Sequence, residues 1–115
     1  MKYLLLIYGS EQEWAARPHD EQHAIYQEYE KVMREFEESD VVRAGDQLAD
    51  TSSATTVRIR EGQQLVTDGP FAETKEQLGG YFVVDVDDLD SAIELAAKIP
   101  GARDGSIEVR PIIDG

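Results

Sequence analysis

Cysteine is absent from the chain. That excludes disulfides, thiolate nucleophiles and cysteine-ligated metals. Histidine is scarce, with only His19 and His23. Bases are scarce as well: 11 Lys and Arg stand against 24 Asp and Glu, for a net charge of −13. No cluster of Lys or Arg is present to neutralise phosphates, so nucleic acid and anionic membrane are not expected as partners. The apolar run Tyr3–Tyr8 is too short for a membrane helix or a signal-peptide core. A phosphate loop, a Gly-x-Ser-x-Gly elbow and a nucleotide fingerprint are all missing. These absences set the expectation of a cytoplasmic protein with an acidic, solvated surface, no cofactor and no membrane contact.

What is present suits a single domain spanning residues 1–115. The hydrophobic share is 41%, ordinary for a globular chain and too high for a disordered one. Residues 2–8 form a near-continuous apolar run ending at Gly9, as in a strand buried on both faces. Residues 9–19 read as a loop with a short turn near Trp14. Over 20–38, Ile25, Tyr29, Val32, Met33 and Phe36 make one helical stripe. A short strand is expected at 41–46. Residues 54–60 alternate, and with Gln63–Val66 across Glu61-Gly62 they predict a hairpin. Tyr81–Val86 is strongly β-forming. A helix capped by Asp88 or Asp90 follows, with Leu89, Ala92, Ile93, Ala96 and Ala97 as its buried stripe and Pro100-Gly101 as its stop. Ile107, Val109 and Ile113 belong to a last strand, which Pro111 marks as an edge.

The order is β, α, a hairpin region, β, α, β. It predicts an α+β, ferredoxin-like βαββαβ fold with both helices on one face of an antiparallel sheet. Apolar residues on both faces of the first strand require a cover for the other face. A second copy of the chain is the expected cover, giving a homodimer.

The candidate functional stretch is Asp68–Tyr81. An Asp usually accepts a hydrogen bond from the N–H two residues on. That residue is Pro70, which has none. The Asp68 carboxylate must therefore bond to the Phe71 N–H or to Thr74, or point at a ligand. The competing reading is a rigid turn anchored by Phe71 in the core. Glu73, Lys75 and Glu76 read first as a solvated turn, and second as a carboxylate kept ionised by a neighbouring lysine. Gly79-Gly80 needs a bulge, a partner chain or a close ligand to explain it. His19 and His23 share one helix face at i, i+4, but no third metal ligand is identifiable, so no metal site is expected. Tyr8 and Tyr81 sit at predicted strand ends, where a tyrosine can serve as a weak acid.

Asp68–Tyr81 resembles the signature of DGPF-domain proteins in the YCII-related family. Tyr3–Tyr8, Ala54–Arg60 and Ile107–Pro111 resemble that family's opening, Thr-rich and closing strands. The resemblance implies a dimeric α+β barrel. Most DGPF proteins have no assigned reaction. YCII-type members that do chemistry resemble lyases or dehydrochlorinases using a His–Asp pair, with the histidine near the start of the first helix. His19 or His23 matches that position, and Asp68 is the candidate Asp partner, with Asp68 or Glu73 as base and His23 or Tyr8 as proton donor. The family's frequent company with extracytoplasmic-function sigma factors implies an alternative role as a non-catalytic partner of a sigma factor. The expectation is a protein that binds an unknown small molecule, with lyase-like acid–base chemistry. Its catalytic candidates are Asp68, His23 and Glu73. Tyr8, Gly69, Pro70, Phe71, Lys75, Gly80 and Tyr81 are the expected ligand contacts.

Overall fold

The computed structural model describes residues 1–114. The elements in order are β1 (Lys2–Gly9), α1 (Glu11–Ala16), α2 (His19–Glu38), β2 (Val42–Gln47), β3 (Thr55–Arg60), β4 (Gln63–Asp68), β5 (Gln77–Asp85), α3 (Leu89–Lys98) and β6 (Ser106–Pro111). Single 3-10 turns sit at Thr51–Ser53 and Pro100–Ala102. Four strands make one sheet in the order β2-β5-β1-β6, and every pairing in it is antiparallel. With α2 and α3 these strands form a ferredoxin-like α+β unit. The β3–β4 hairpin is a separate two-stranded sheet inserted between β2 and β5.

Alternation along the strands decides what is buried. Tyr3 and Leu5 of β1, with Phe82 and Val84 of β5, meet Phe36 of α2 and Ala92, Ala96 and Ile99 of the α3 region. Leu5, Phe36, Val84 and Ile99 are at most 1% exposed. Phe36 meets Phe82 edge to face, with ring centroids 5.5 Å apart. Leu4, Leu6 and Val83 point to the sheet's other face and lie outside the helix-packed core cluster; Leu6 is buried, Leu4 and Val83 only partly.

Three local differences from the sequence reading have clear causes. Residues 11–16 are helical rather than a loop. Ser10-Glu11-Gln12-Glu13 has the Ser-x-x-Glu capping pattern, and the Ser10 hydroxyl accepts the Glu13 N–H at 3.1 Å. The buried stripe of α3 is Ala92, Leu95, Ala96 and Ile99, whereas Leu89, Ile93 and Ala97 are exposed. Both stripes have helical spacing, and the two alanines let the helix sit close to the sheet. β5 begins at Gln77, so Gly79-Gly80 lies inside it. Ile7 pairs with Gly80 but Tyr8 pairs with Leu78, which leaves Gly79 as the extra residue of a β-bulge. A Cβ on Gly80 would lie 3.0 Å from the backbone oxygen of Asp46. Bulge and close strand approach together account for the pair.

Asp88 caps α3 by accepting the Ser91 N–H at 2.8 Å. β6 lies at the sheet edge, as Pro111 predicts. The hairpin turns through Glu61 and Gly62, both at positive φ, which matches the twist of a type I′ turn.

Candidate functional site

The β1–β5 pairing continues past the bulge through Tyr8–Leu78 and Gly9–Gln77, and a cleft lies over this end of the sheet, between it and helices α1 and α2. Its volume is about 680 Å³, within the usual size range of small-molecule sites. The floor is the end of β1, Ile7–Gly9, with parts of β2 and β5. Ile25, Tyr29 and Met33 line one wall, so the stripe of α2 divides: its first turns face the cleft and Phe36 fills the core. Trp14 of α1 and Pro100-Gly101 complete the walls.

Polar contacts fix these walls. The Thr51 N–H and hydroxyl both donate to the Glu11 carboxylate at 2.8 Å. The Glu11 N–H donates to Gln77 Oε1 at 2.9 Å. Gln22 donates to the Trp14 carbonyl at 2.8 Å, joining α1 to α2. Trp14 meets Tyr26 edge to face at 5.4 Å. The Arg17 guanidinium lies over the Trp14 ring and pairs with Asp104 at 2.8 Å.

Tyr29 is the group with the most chemical interest. Its hydroxyl accepts the Gly101 N–H at 3.2 Å. Among the described residues no acceptor takes its own proton. Burial pushes its pKa up, against the lowering effects of the Gly101 N–H and the Arg103 charge. Tyr29 thus offers the cleft a neutral proton donor. Six carboxylates also line the cleft: Glu11, Glu13, Glu30, Asp46, Asp50 and Asp104. Arg17 is the single base among them, and it is already paired.

Of the residues expected from sequence, Tyr8, Gly80 and Tyr81 line this cleft. The Tyr81 hydroxyl donates to Asp46 at 2.7 Å, and that bond raises the tyrosine pKa. Asp68, Gly69, Pro70, Phe71, Glu73, Lys75 and His23 are not part of the cleft wall in the same chain. Asp68 ends β4 opposite Thr55 and is exposed. Its carboxylate makes neither the Phe71 bond nor the Thr74 bond; Thr74 instead donates to the Glu76 carbonyl. Gly69 sits at φ +95°, with its N–H on the Ala54 carbonyl at 2.7 Å and its carbonyl accepting from Thr56 at 2.8 Å. Phe71 is 77% exposed. The turn is therefore held by the Gly69 N–H and by the Thr56 and Arg58 side chains on the Gly69 and Phe71 carbonyls, not by a core-anchored Phe71. His19 and His23 are both exposed. Among the described residues no three His, Asp or Glu side chains group as metal ligands, and no helix is long and apolar enough to cross a membrane.

Trp14, Tyr29 and Gln77 are cleft residues that pattern reading passes over. Tyr29 was visible only as a stripe position. The available signal was its hydroxyl, which needs a partner when buried.

A YCII-related domain model matches residues 1–114. The chain is also 36% identical over 114 residues to an uncharacterised protein of Rhizobium meliloti (strain 1021), a match covering 97% of this chain and 92% of that one. With the domain match running the length of the described chain, this protein belongs to the YCII-related family.

Proposed function

We propose that the chain binds a small molecule in the cleft between the sheet and helices α1 and α2. The observation that supports this most is the cleft itself, with the half-buried Tyr29 hydroxyl beside apolar and aromatic walls. A folding requirement alone does not explain it, because a well-packed core leaves few voids larger than a water. The acidic lining selects against anionic ligands and favours neutral or cationic ones.

The chemistry this arrangement supports is acid–base. Tyr29 or Tyr8 donates a proton, and a carboxylate accepts one, as an elimination of the lyase type requires. Among the lining carboxylates, Glu11, Asp46 and Asp104 are engaged by Thr51, Tyr81 and Arg17. Glu30, on the helix that carries Tyr29, is the candidate base within one chain.

Trp14 lines the cleft and is the sole tryptophan. Its emission is therefore a direct reporter of occupancy. A set of neutral, cationic and anionic aromatic probes sharing one phenethyl body tests the reading. Neutral and cationic probes shift the emission saturably, and Tyr29→Phe weakens them by about tenfold, the worth of one hydrogen bond. The absence of any saturable shift with all three probes contradicts the proposal.

A further inference from the structure

The Tyr29 hydroxyl is a donor held in place by its surroundings. Its ring stands on α2, and its oxygen accepts the Gly101 N–H at 3.2 Å. That N–H is itself fixed. The 3-10 turn that carries it starts at the buried Pro100. The Ala102 N–H donates to the Ile99 carbonyl, Arg103 to Pro100 and Gly105 to Gly101, at 2.8–3.2 Å. The contact also needs a glycine. A Cβ at position 101 would lie 2.9 Å from the Tyr29 oxygen and 3.2 Å from Ile7 Cγ2.

A phenol proton stays close to the plane of its ring, so it points to one side of the oxygen or the other. Gly101 takes the lone pair on one side and leaves the proton the other. Tyr29 lines the cleft, and among the described residues nothing accepts that proton. Its neighbours strengthen it as a donor. A hydrogen bond accepted polarises the one donated, and the Arg103 charge acts in the same sense.

Such a group recognises an acceptor. Beside it the cleft offers the apolar surface of Ile25, Met33 and Trp14. A charged acceptor is opposed by the carboxylates that line the same space. An uncharged carbonyl oxygen is not opposed, and its carbon substituents suit the apolar wall. A donor fixed before the ligand arrives also loses little freedom in binding it.

We propose that Tyr29 determines the specificity of the cleft and selects an uncharged carbonyl compound, whose oxygen accepts the Tyr29 O–H. The inference rests on the cleft being the binding site, and it names the class of ligand held there.

A pair of isosteric probes tests it: benzylacetone, and the alkene in which a methylene replaces its carbonyl oxygen. Both carry the phenethyl body, and the Trp14 emission reports both. Tyr29→Phe is expected to weaken the ketone about tenfold, the worth of one hydrogen bond, and to leave the alkene, which has no acceptor to lose, unchanged. The differing cost of drying a carbonyl and a methylene is common to both proteins and cancels in the comparison. The carbonyl stretch of the bound ketone lies at lower wavenumber in wild type than in Tyr29→Phe. Hydrocinnamate, the carboxylate analogue, binds wild type more weakly than the ketone does. An equal loss for ketone and alkene, no loss for the ketone, an unmoved carbonyl band, or tighter binding of the carboxylate overturns the proposal while the cleft reading stands. If neither ketone nor alkene shifts Trp14, the cleft reading falls and the proposal falls with it.

Discussion

At the scale of single residues, Tyr29 joins stability to function. Its hydroxyl accepts the Gly101 N–H, so Tyr29→Phe leaves that donor unpaired and costs about 1 kcal/mol of stability. The tyrosine pKa is raised in the folded chain by burial. Its contribution is therefore fully present below the unfolded tyrosine value of about 10 and lost as pH rises through the higher folded value. Denaturant midpoints between pH 8 and pH 11 check this: wild type loses stability toward the alkaline end more steeply than Tyr29→Phe. Asp88 has the opposite sign. Its bond to the Ser91 N–H lowers the carboxyl pKa. That contribution is present above the unfolded value near 4 and lost as pH falls through the folded one. Asp88→Asn keeps a capping oxygen without the charge, so melts of the two proteins differ at neutral pH and converge as pH falls through the lowered Asp88 pKa. The sequence pointed to Asp88 as one of two caps because an Asp before an apolar helical stripe has few other uses. It marked Tyr29 as a core position, because its partner Gly101 is 72 residues away and no local pattern links them.

At the scale of elements, glycines separate shape from sequence. A Cβ on Gly105 would lie 2.1 Å from the backbone oxygen of Tyr8, whereas one on Gly79 would meet nothing closer than 3.9 Å. Gly105→Ala forces β1 and the turn before β6 apart, at a cost of about 3 kcal/mol. Gly79→Ala, at the bulge, stays within about 1 kcal/mol of wild type. Thermal melts of the two variants rank them; equal midpoints contradict the bulge assignment. Strand and helix order was legible because the periodicities at 2–8, 20–38 and 81–86 are long and unambiguous. Helix α1 was not, because its six residues bury nothing and its only mark is the Ser10–Glu13 cap. The start of β5 was hidden by its glycine pair, which lowers β propensity while the strand continues.

At the scale of the whole molecule, the fold brings distant segments to one place. The cleft takes its walls from Ile7, Trp14, Tyr29, Asp46, Gln77 and Gly101, residues spread over most of the chain. Sequence pattern supplied the strands and helices that carry them, and offered the bulge at Gly79-Gly80 as one of three readings of that pair. It also drew attention to 68–75, the stretch with the strongest local constraint. In the folded chain that loop follows an exposed hairpin and stands off the cleft. Val57, Ile59 and Val66 lie on one side of that hairpin and form a surface that folding leaves open.

The most direct test of the central claim is amide chemical-shift mapping of the 15N-labelled protein against a mixture of small neutral and cationic aromatic fragments. The account predicts that shifts cluster at Tyr8, Trp14, Tyr29, Gly80 and Gly101, and that Tyr29→Phe diminishes them. Shifts that spare those amides, whether scattered over the surface or gathered elsewhere, contradict it.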